Sequence, residues 1–220
     1  MYRRRSYCGI KKFKKCFTSA VHDVLRNLGY KNFAFPSNIK PNNSEHVICG
    51  PVFTIEGKMD ESCDANQTLL SWTELLSKAK ENHIWLSQPH NHIVAQMGEL
   101  SAEVLQKKGV LGCITDGLIR DREAVSKLNF PCWNVGYTPR DIVGYWMPTS
   151  INKTIIIGDV IIEPGDWLHG DSDGIVRIKI KDIDEVIEKS YEAVNTENKI
   201  KIAIFDGMDP VDAYKKFGTF

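Results

Sequence analysis

The chain has 220 residues, and its 42% hydrophobic and 10% aromatic content suits an ordinary folded core and excludes disorder. At about 100–200 residues per domain, one domain is expected. Lys+Arg and Asp+Glu both number 28, and the zero balance excludes a generally basic nucleic-acid binder and an acidic-tail protein. Thr18 to Leu28 is predicted to be a helix, with Ala20, Val21, Val24, Leu25 and Leu28 on one side and Gly29 as its left-handed stop. Residues 30–44 form a Pro/Asn/Ser-rich loop, and His46 to Ile55 reads as a strand bulged at Gly50-Pro51. Ser71-Trp72-Thr73-Glu74 has the pattern of a capping box, with Leu75, Leu76 and Ala79 continuing the helix. Ile84 to Leu86 is a short strand.

The centre alternates more regularly. Gly98 to Lys108 reads as a helix with Leu100, Val104 and Leu105 inward, and Val110 to Thr115 as a strand covered on both faces. A short helix through Leu128 and a strand from Phe130 to Asn134 follow. This alternation implies crossover units and a locally parallel sheet. Gly158-Asp159 between two β-branched runs signals a hairpin over Thr154–Ile162, and further strands end near Ile180. Ile183, Val186, Ile187, Tyr191 and Val194 mark one face of a helix from Asp182 to Val194, and Asp209 to Phe217 forms a last short helix. The fold class expected is α/β with a mixed sheet.

No apolar run approaches the roughly 18 residues of a membrane span, and Met1 to Lys15 lacks the apolar stretch of a signal peptide. The six cysteines form no C-x-x-C pair, several lie in apolar runs, and they read as reduced and buried, in a cytoplasmic protein. Residues 1–15 carry seven basic side chains and no acid, leaving the remainder at net −7. Such an arm either touches RNA or another acidic surface, or lies solvated on the chain's own acidic body.

No Walker loop, G-x-G-x-x-G, G-x-S-x-G or zinc spacing is present. His90 and His92 in Pro89-His90-Asn91-His92 read as surface histidines rather than metal ligands, and His22-Asp23 as a helix polar pair. Gly98-Glu99-Leu100-Ser101 opens a helix whose free N–H groups suit a carboxylate, and Gly98 allows close approach. Arg120-Asp121 follows a buried strand, where parallel sheets place ligands. Arg offers a fork to an oxyanion and Asp a hard oxygen to Mg²⁺ or Mn²⁺; the plainer reading is a surface pair.

The stretch Gly98-Glu99-Leu100-Ser101-Ala102, with Gly109 to Gly112, Asp116-Gly117, Arg120-Asp121 and Phe130-Pro131, is similar to the core signature of the RraA-like family. That family includes the class II 4-hydroxy-4-methyl-2-oxoglutarate / 4-carboxy-4-hydroxy-2-oxoadipate aldolases. Thr18 to Asp23, Gly50 to Thr54, Gly158 to Asp166 and Gly170 to Gly174 extend the likeness from about residue 13 to the end, outside a basic arm at 1–12. The resemblance implies a swivelling β/β/α domain over 13–220, a homotrimer or hexamer, and active sites between subunits. It implies Mg²⁺ (or Mn²⁺) held directly by Asp121, a small 2-oxo acid substrate whose carboxylate meets the amides of Leu100 and Ser101 beside Gly98, and Arg120 against an enolate oxygen. Glu99 matches an acidic residue that holds a water for proton transfer. Glu197 resembles one that reaches the metal's waters from a neighbouring subunit; otherwise it is an exposed helix glutamate. The expected activity is retro-aldol cleavage of a 4-hydroxy-2-oxo acid, or oxaloacetate decarboxylation. The alternative is an RraA-type regulator without catalysis, binding an RNA-processing partner. Three departures stand out: Ser101 where leucine is common, Val135 where arginine often precedes the glycine, and no proline near Ile180.

Overall fold

The structure is a computed structural model that describes residues 10–220. The chain runs α1 (Thr18–Asn27), β1 (Lys40–Pro41), β2 (Ile48–Met59), α2 (Ala65–Lys78), β3 (Ile84–Gln88), α3 (Glu99–Lys107), β4 (Gly112–Thr115) and β5 (Leu118–Ile119). It continues through α4 (Arg122–Lys127), β6 (Cys132–Asn134), β7 (Gly136–Tyr137), β8 (Trp146–Ile151), β9 (Ile155–Ile157) and β10 (Val160–Ile162). Last come β11 (Trp167–Gly170), β12 (Ile175–Ile178), a 3₁₀ turn (Ile180–Asp182), α5 (Ile183–Phe205) and α6 (Pro210–Phe217).

The main sheet has the order β1-β6-β4-β3-β2-β11-β12, with β8 also paired to β2. Strands β2, β3, β4 and β6 are mutually parallel, as the helix–strand alternation requires, whereas β1, β8, β11 and β12 join antiparallel. Alternation along the parallel strands sends Phe53, Ile55, Trp85, Cys113 and Cys132 to one face. There they pack against Leu75 and Leu76 of α2, Ala102 and Leu105 of α3, and Val125 of α4. Their neighbours Val52, Ile84, Leu86 and Ile114 point the other way, against Ile155, Ile157, Val160 and Ile162 of the β9–β10 hairpin. Helices, sheet and hairpin thus make three layers, which is the β/β/α arrangement expected. It also explains why every residue of β4 is buried. A third cluster joins α1 and α5 over β12.

The hairpin turns at Gly158-Asp159 as expected, with Ile157 opposite Val160, and Gly29 takes a φ of +79° after α1. Other expectations need correction. The capping box of α2 lies seven residues earlier, where the Asp64 side chain accepts from Gln67 N–H and Gln67 reaches back to the Asp64 N–H. Ser71 sits mid-helix and donates its hydroxyl to the Gln67 carbonyl (2.8 Å), a bond that any mid-helix serine can make. β2 runs to Met59, and its register shifts at Glu56/Gly57, not at Gly50-Pro51. A Cβ on Gly57 would lie 1.9 Å from the Trp146 ring, so the glycine admits the indole. Pro51 is tolerated because pairing with β3 begins only at Val52. Leu100 is 74% exposed and Val104 half-buried, leaving Leu105 and Ala102 as the inward side of α3. α5 extends eleven residues beyond Val194, since no glycine or proline interrupts it before Gly207.

Cys16, Cys49, Cys113 and Cys132 are buried and free, and Cys63 is half-buried and free. Cys8 and most of the basic arm lie outside the described residues; Lys12 meets Glu188 of α5 at 3.2 Å. Among the described residues, no helix is long and apolar enough to cross a membrane.

Candidate active site

The turn before α3 and the turn after β5 are laid side by side by their backbones. Gln96 N–H donates to the Leu118 carbonyl (2.7 Å) and Arg120 N–H to the Met97 carbonyl (2.8 Å). Gly98 therefore meets Arg120 and Asp121, twenty-two and more residues later in the chain. A Cβ on Gly98 would stand 2.6 Å from Asp121 Oδ2 and 3.0 Å from Arg120 Nε. Only glycine leaves this space open, which gives a physical reason for the Gly-Glu-Leu pattern.

Asp121 is the N-cap of α4 and sits in the left-handed region (φ +55°). Aspartate tolerates that region better than most residues, at a cost on the order of 1 kcal/mol or more. The conformation turns its carboxylate back over α3: Oδ2 accepts the Glu99 N–H at 3.0 Å and lies 3.5 Å from Arg120 Nε. Asp121 Oδ1 makes no hydrogen bond or ion pair among the described residues, and the side chain is 40% exposed. The N–H groups of Leu100 and Ser101 belong to the first turn of α3 and have no intrahelical acceptor. Ser101 Oγ is held by Trp72 Nε1–H (3.0 Å), which fixes the helix start to α2.

The other end of Arg120 reaches a residue that sequence reasoning missed. Its Nη1 is 3.5 Å from Asp141 Oδ2, while Asp141 Oδ1 accepts the Val143 N–H at 3.1 Å. Asp141 arrives because β5 pairs with β7 and Thr138 N–H donates to the Ile119 carbonyl (3.0 Å). No local pattern announces a contact that depends on such pairing.

Further polar side chains lie just before the two turns in the chain. Burial pushes the Asp116 carboxyl up to about 6, against the opposing pull of His90 and His92. Asp116 Oδ1 and both amide atoms of fully buried Gln96 have no partner. His92 Nε2 lies 2.7 Å from the Asp116 carbonyl and His90 Nε2 3.0 Å from Glu56 Oε1, so both exposed histidines are engaged by the protein. Among the described residues no group of three His, Cys, Asp or Glu could hold a metal.

The structure brings together Gly98, Glu99, Leu100, Ser101, Arg120 and Asp121, but not Glu197. That residue lies on α5, which packs with α1 and α6, and its carboxylate pairs with Lys201 at 2.8 Å. A lone carboxylate suits a hard cation that draws most of its shell from water and substrate, as Mg²⁺ does. The open Oδ1 and the cradle left by Gly98 fit that group.

A sequence profile described as RraA-like (Aldolase/RraA) matches residues 18–177. A protein of Halalkalibacterium halodurans named "Putative 4-hydroxy-4-methyl-2-oxoglutarate aldolase" is 26% identical over 209 residues, covering 93% of this chain and 92% of its own. Among solved structures, an uncharacterized protein of Pseudomonas syringae superposes with a TM-score of 0.85 at 20% identity, over 95% of this chain and 93% of its own. Streptomyces coelicolor RraAS2, described as an unusual member of the RNase ES inhibitor RraA family, gives 0.76 at 19% identity, over 89% and 96%. At those identities the structural likeness establishes the fold alone.

Proposed function

Because this chain belongs to the RraA-like family, we propose that it is a divalent-metal-dependent lyase acting on a small 2-oxo acid. Its reactions would be retro-aldol cleavage of a 4-hydroxy-2-oxo acid, oxaloacetate decarboxylation, or both. The observation that carries this reading is the convergence of Gly98, Arg120 and an open Asp121 carboxylate at the start of α3. Asp121 is the residue that would hold Mg²⁺ or Mn²⁺. When bound, the cation supplies positive charge that stabilises an enolate oxygen.

The substrate carboxylate is oriented by the N–H groups of Leu100 and Ser101, where the helix dipole favours an anion. In retro-aldol cleavage the C3–C4 bond breaks, its electron pair passes into the C2 enolate, and the C4 hydroxyl loses its proton. In decarboxylation the same bond releases CO₂. Arg120 neutralises the developing oxyanion. Glu99, exposed at the first position of α3, holds the water that takes the C4 proton and returns one to C3, giving pyruvate. Glu197 would complete the site from a neighbouring subunit of a homotrimer or hexamer.

Purified protein incubated with oxaloacetate and Mg²⁺, with and without EDTA, is expected to release pyruvate only when metal is present. Absence of metal-dependent turnover of oxaloacetate and of a panel of 4-hydroxy-2-oxo acids overturns the proposal. The regulator reading draws on the seven basic residues at 1–15 and on the name of the Streptomyces protein. Salt-dependent binding to an RNA-processing partner, lost on deleting residues 1–15, would favour it.

A further inference from the structure

Arg120 lies between two carboxylates rather than against one. Its Nε is 3.5 Å from Asp121 Oδ2 and its Nη1 3.5 Å from Asp141 Oδ2. The two contacts use different nitrogens of one rigid fork, so either can be kept while the other is released. We propose that Asp141 is a positioning residue: the carboxylate that retains Arg120 when Asp121 takes a divalent cation. This rests on the cation part of the function proposed above, and not on the identity of the substrate.

The argument starts from charge. A guanidinium beside Asp121 and a divalent cation on Asp121 repel each other and compete for one carboxylate. Asp121 Oδ2 is further committed to the Glu99 N–H, so it cannot turn away from the arginine without freeing that donor. A cation on the open Oδ1 therefore weakens the hold of this carboxylate on Arg120, and an arginine so loosened needs a second acceptor. Asp141 is already oriented to be one: its Oδ1 is tied to the Val143 N–H, which leaves Oδ2 facing Arg120. The backbone leading into it is anchored twice, through Thr138 N–H to the Ile119 carbonyl and through the Arg140 carbonyl to Ala95 N–H (2.8 Å). The adjacent Arg140 does not compete, because its guanidinium stacks on the Tyr145 ring at 4.1 Å. An arginine restrained in this way stays beside the cation instead of either blocking it or drifting into solvent.

The test is a double-variant cycle read by Mn²⁺ affinity, with no turnover needed. Asp141→Asn is isosteric, keeps the oxygen that accepts from Val143 N–H, and removes only the charge. In the wild-type background it is expected to weaken Mn²⁺ binding by up to about fivefold, the range of one exposed ion pair. In an Arg120→Ala background the same change is expected to have a markedly smaller effect, because no arginine is left to fall back on Asp121. Equal weakening in both backgrounds shows that Asp141 acts only by its own charge at a distance, and overturns the proposal. Failure of the wild-type protein to bind Mn²⁺ overturns it as well. Coupling without turnover of any 2-oxo acid leaves the proposal standing and removes the lyase reading. In an active protein, Asp141→Asn is also expected to raise the Mn²⁺ concentration needed for half-maximal rate more than it lowers kcat at saturation.

Discussion

Two arginine–aspartate pairs in this chain share their chemistry and differ in everything around them. Arg177 and Asp166 are 9% and 2% exposed and 3.0 Å apart, and Arg177 also donates from Nε and Nη2 to the Ile161 carbonyl. Asp166 in turn accepts the Glu163 N–H. That pair ties β12 to the hairpin layer. Arg120 and Asp121 are 39% and 40% exposed, 3.5 Å apart, and each retains unused hydrogen-bonding capacity. A buried pair satisfied on all sides holds a fold; a half-exposed pair with a spare oxygen and a glycine beside it can receive something. Residue type does not separate the two cases. Surroundings do.

The largest effect that tests this contrast is Arg177→Ala. It leaves a buried carboxylate without its cation and is expected to cost about 3–5 kcal/mol of stability, read from urea unfolding. Arg120→Ala should leave the unfolding curve within about 0.5 kcal/mol of wild type, since the residue lies outside the core. Its cost is expected in turnover instead, about 10²–10³ in kcat on the scale of one oxyanion donor, and not recovered by added metal. Asp121→Asn keeps an oxygen but loses charge, so excess metal is expected to restore part of its rate. If Arg120→Ala unfolds the protein, the two pairs are alike and the site lies elsewhere.

Asp116 shows what burial does to a carboxylate with no arginine beside it. Raised to about 6, it binds a proton in the fold that it lacks in the unfolded chain between roughly pH 4 and 6. Its contribution to stability is therefore present below pH 4 and lost as pH rises through 6. His169 works in the opposite direction. Burial lowers it to about 4, so the fold keeps it neutral and loses stability as pH falls from about 6.5 to 4. Asp116→Asn is expected to raise stability by up to about 2 kcal/mol at pH 7.5 and hardly at all at pH 4, steepening the acid-side loss that His169 imposes. Urea midpoints at the two pH values decide this, and equal shifts at both would contradict it. Lys12→Ala, which removes an exposed pair with Glu188, should change stability by no more than about 0.5 kcal/mol.

The layers were legible because they rest on periodicity. The continuous apolar run at β4, the β-branched hairpin about Gly158 and the 3.6-residue face of α5 each state their own surroundings. Gly98, Arg120 and Asp121 were legible only as a spaced motif; the clash that Gly98 avoids with Asp121 appears once the two turns are adjacent. Asp141 and the buried Gln96 escaped notice because strand and bridge pairing, not sequence proximity, brings them in. Leu100 misled because a leucine at a helix start looks like core, whereas here its side chain faces out. The cap of α2 misled for another reason: Asp64-x-x-Gln67 and Ser71-x-x-Glu74 both fit the pattern, and the earlier one adds nearly two more turns of helix.

Strand β2 touches more of the molecule than any motif suggested. Its first residues pair with β11, its middle with β3, and its last with β8. No single neighbour can detach and leave all of its amides open to solvent. Its hydrogen exchange is therefore tied to opening of the whole sheet, while α6, which packs on α5, can breathe independently. Isotope labelling under native conditions would find slow amides in β2 from Val52 to Glu56, a protected girder that no single neighbour controls.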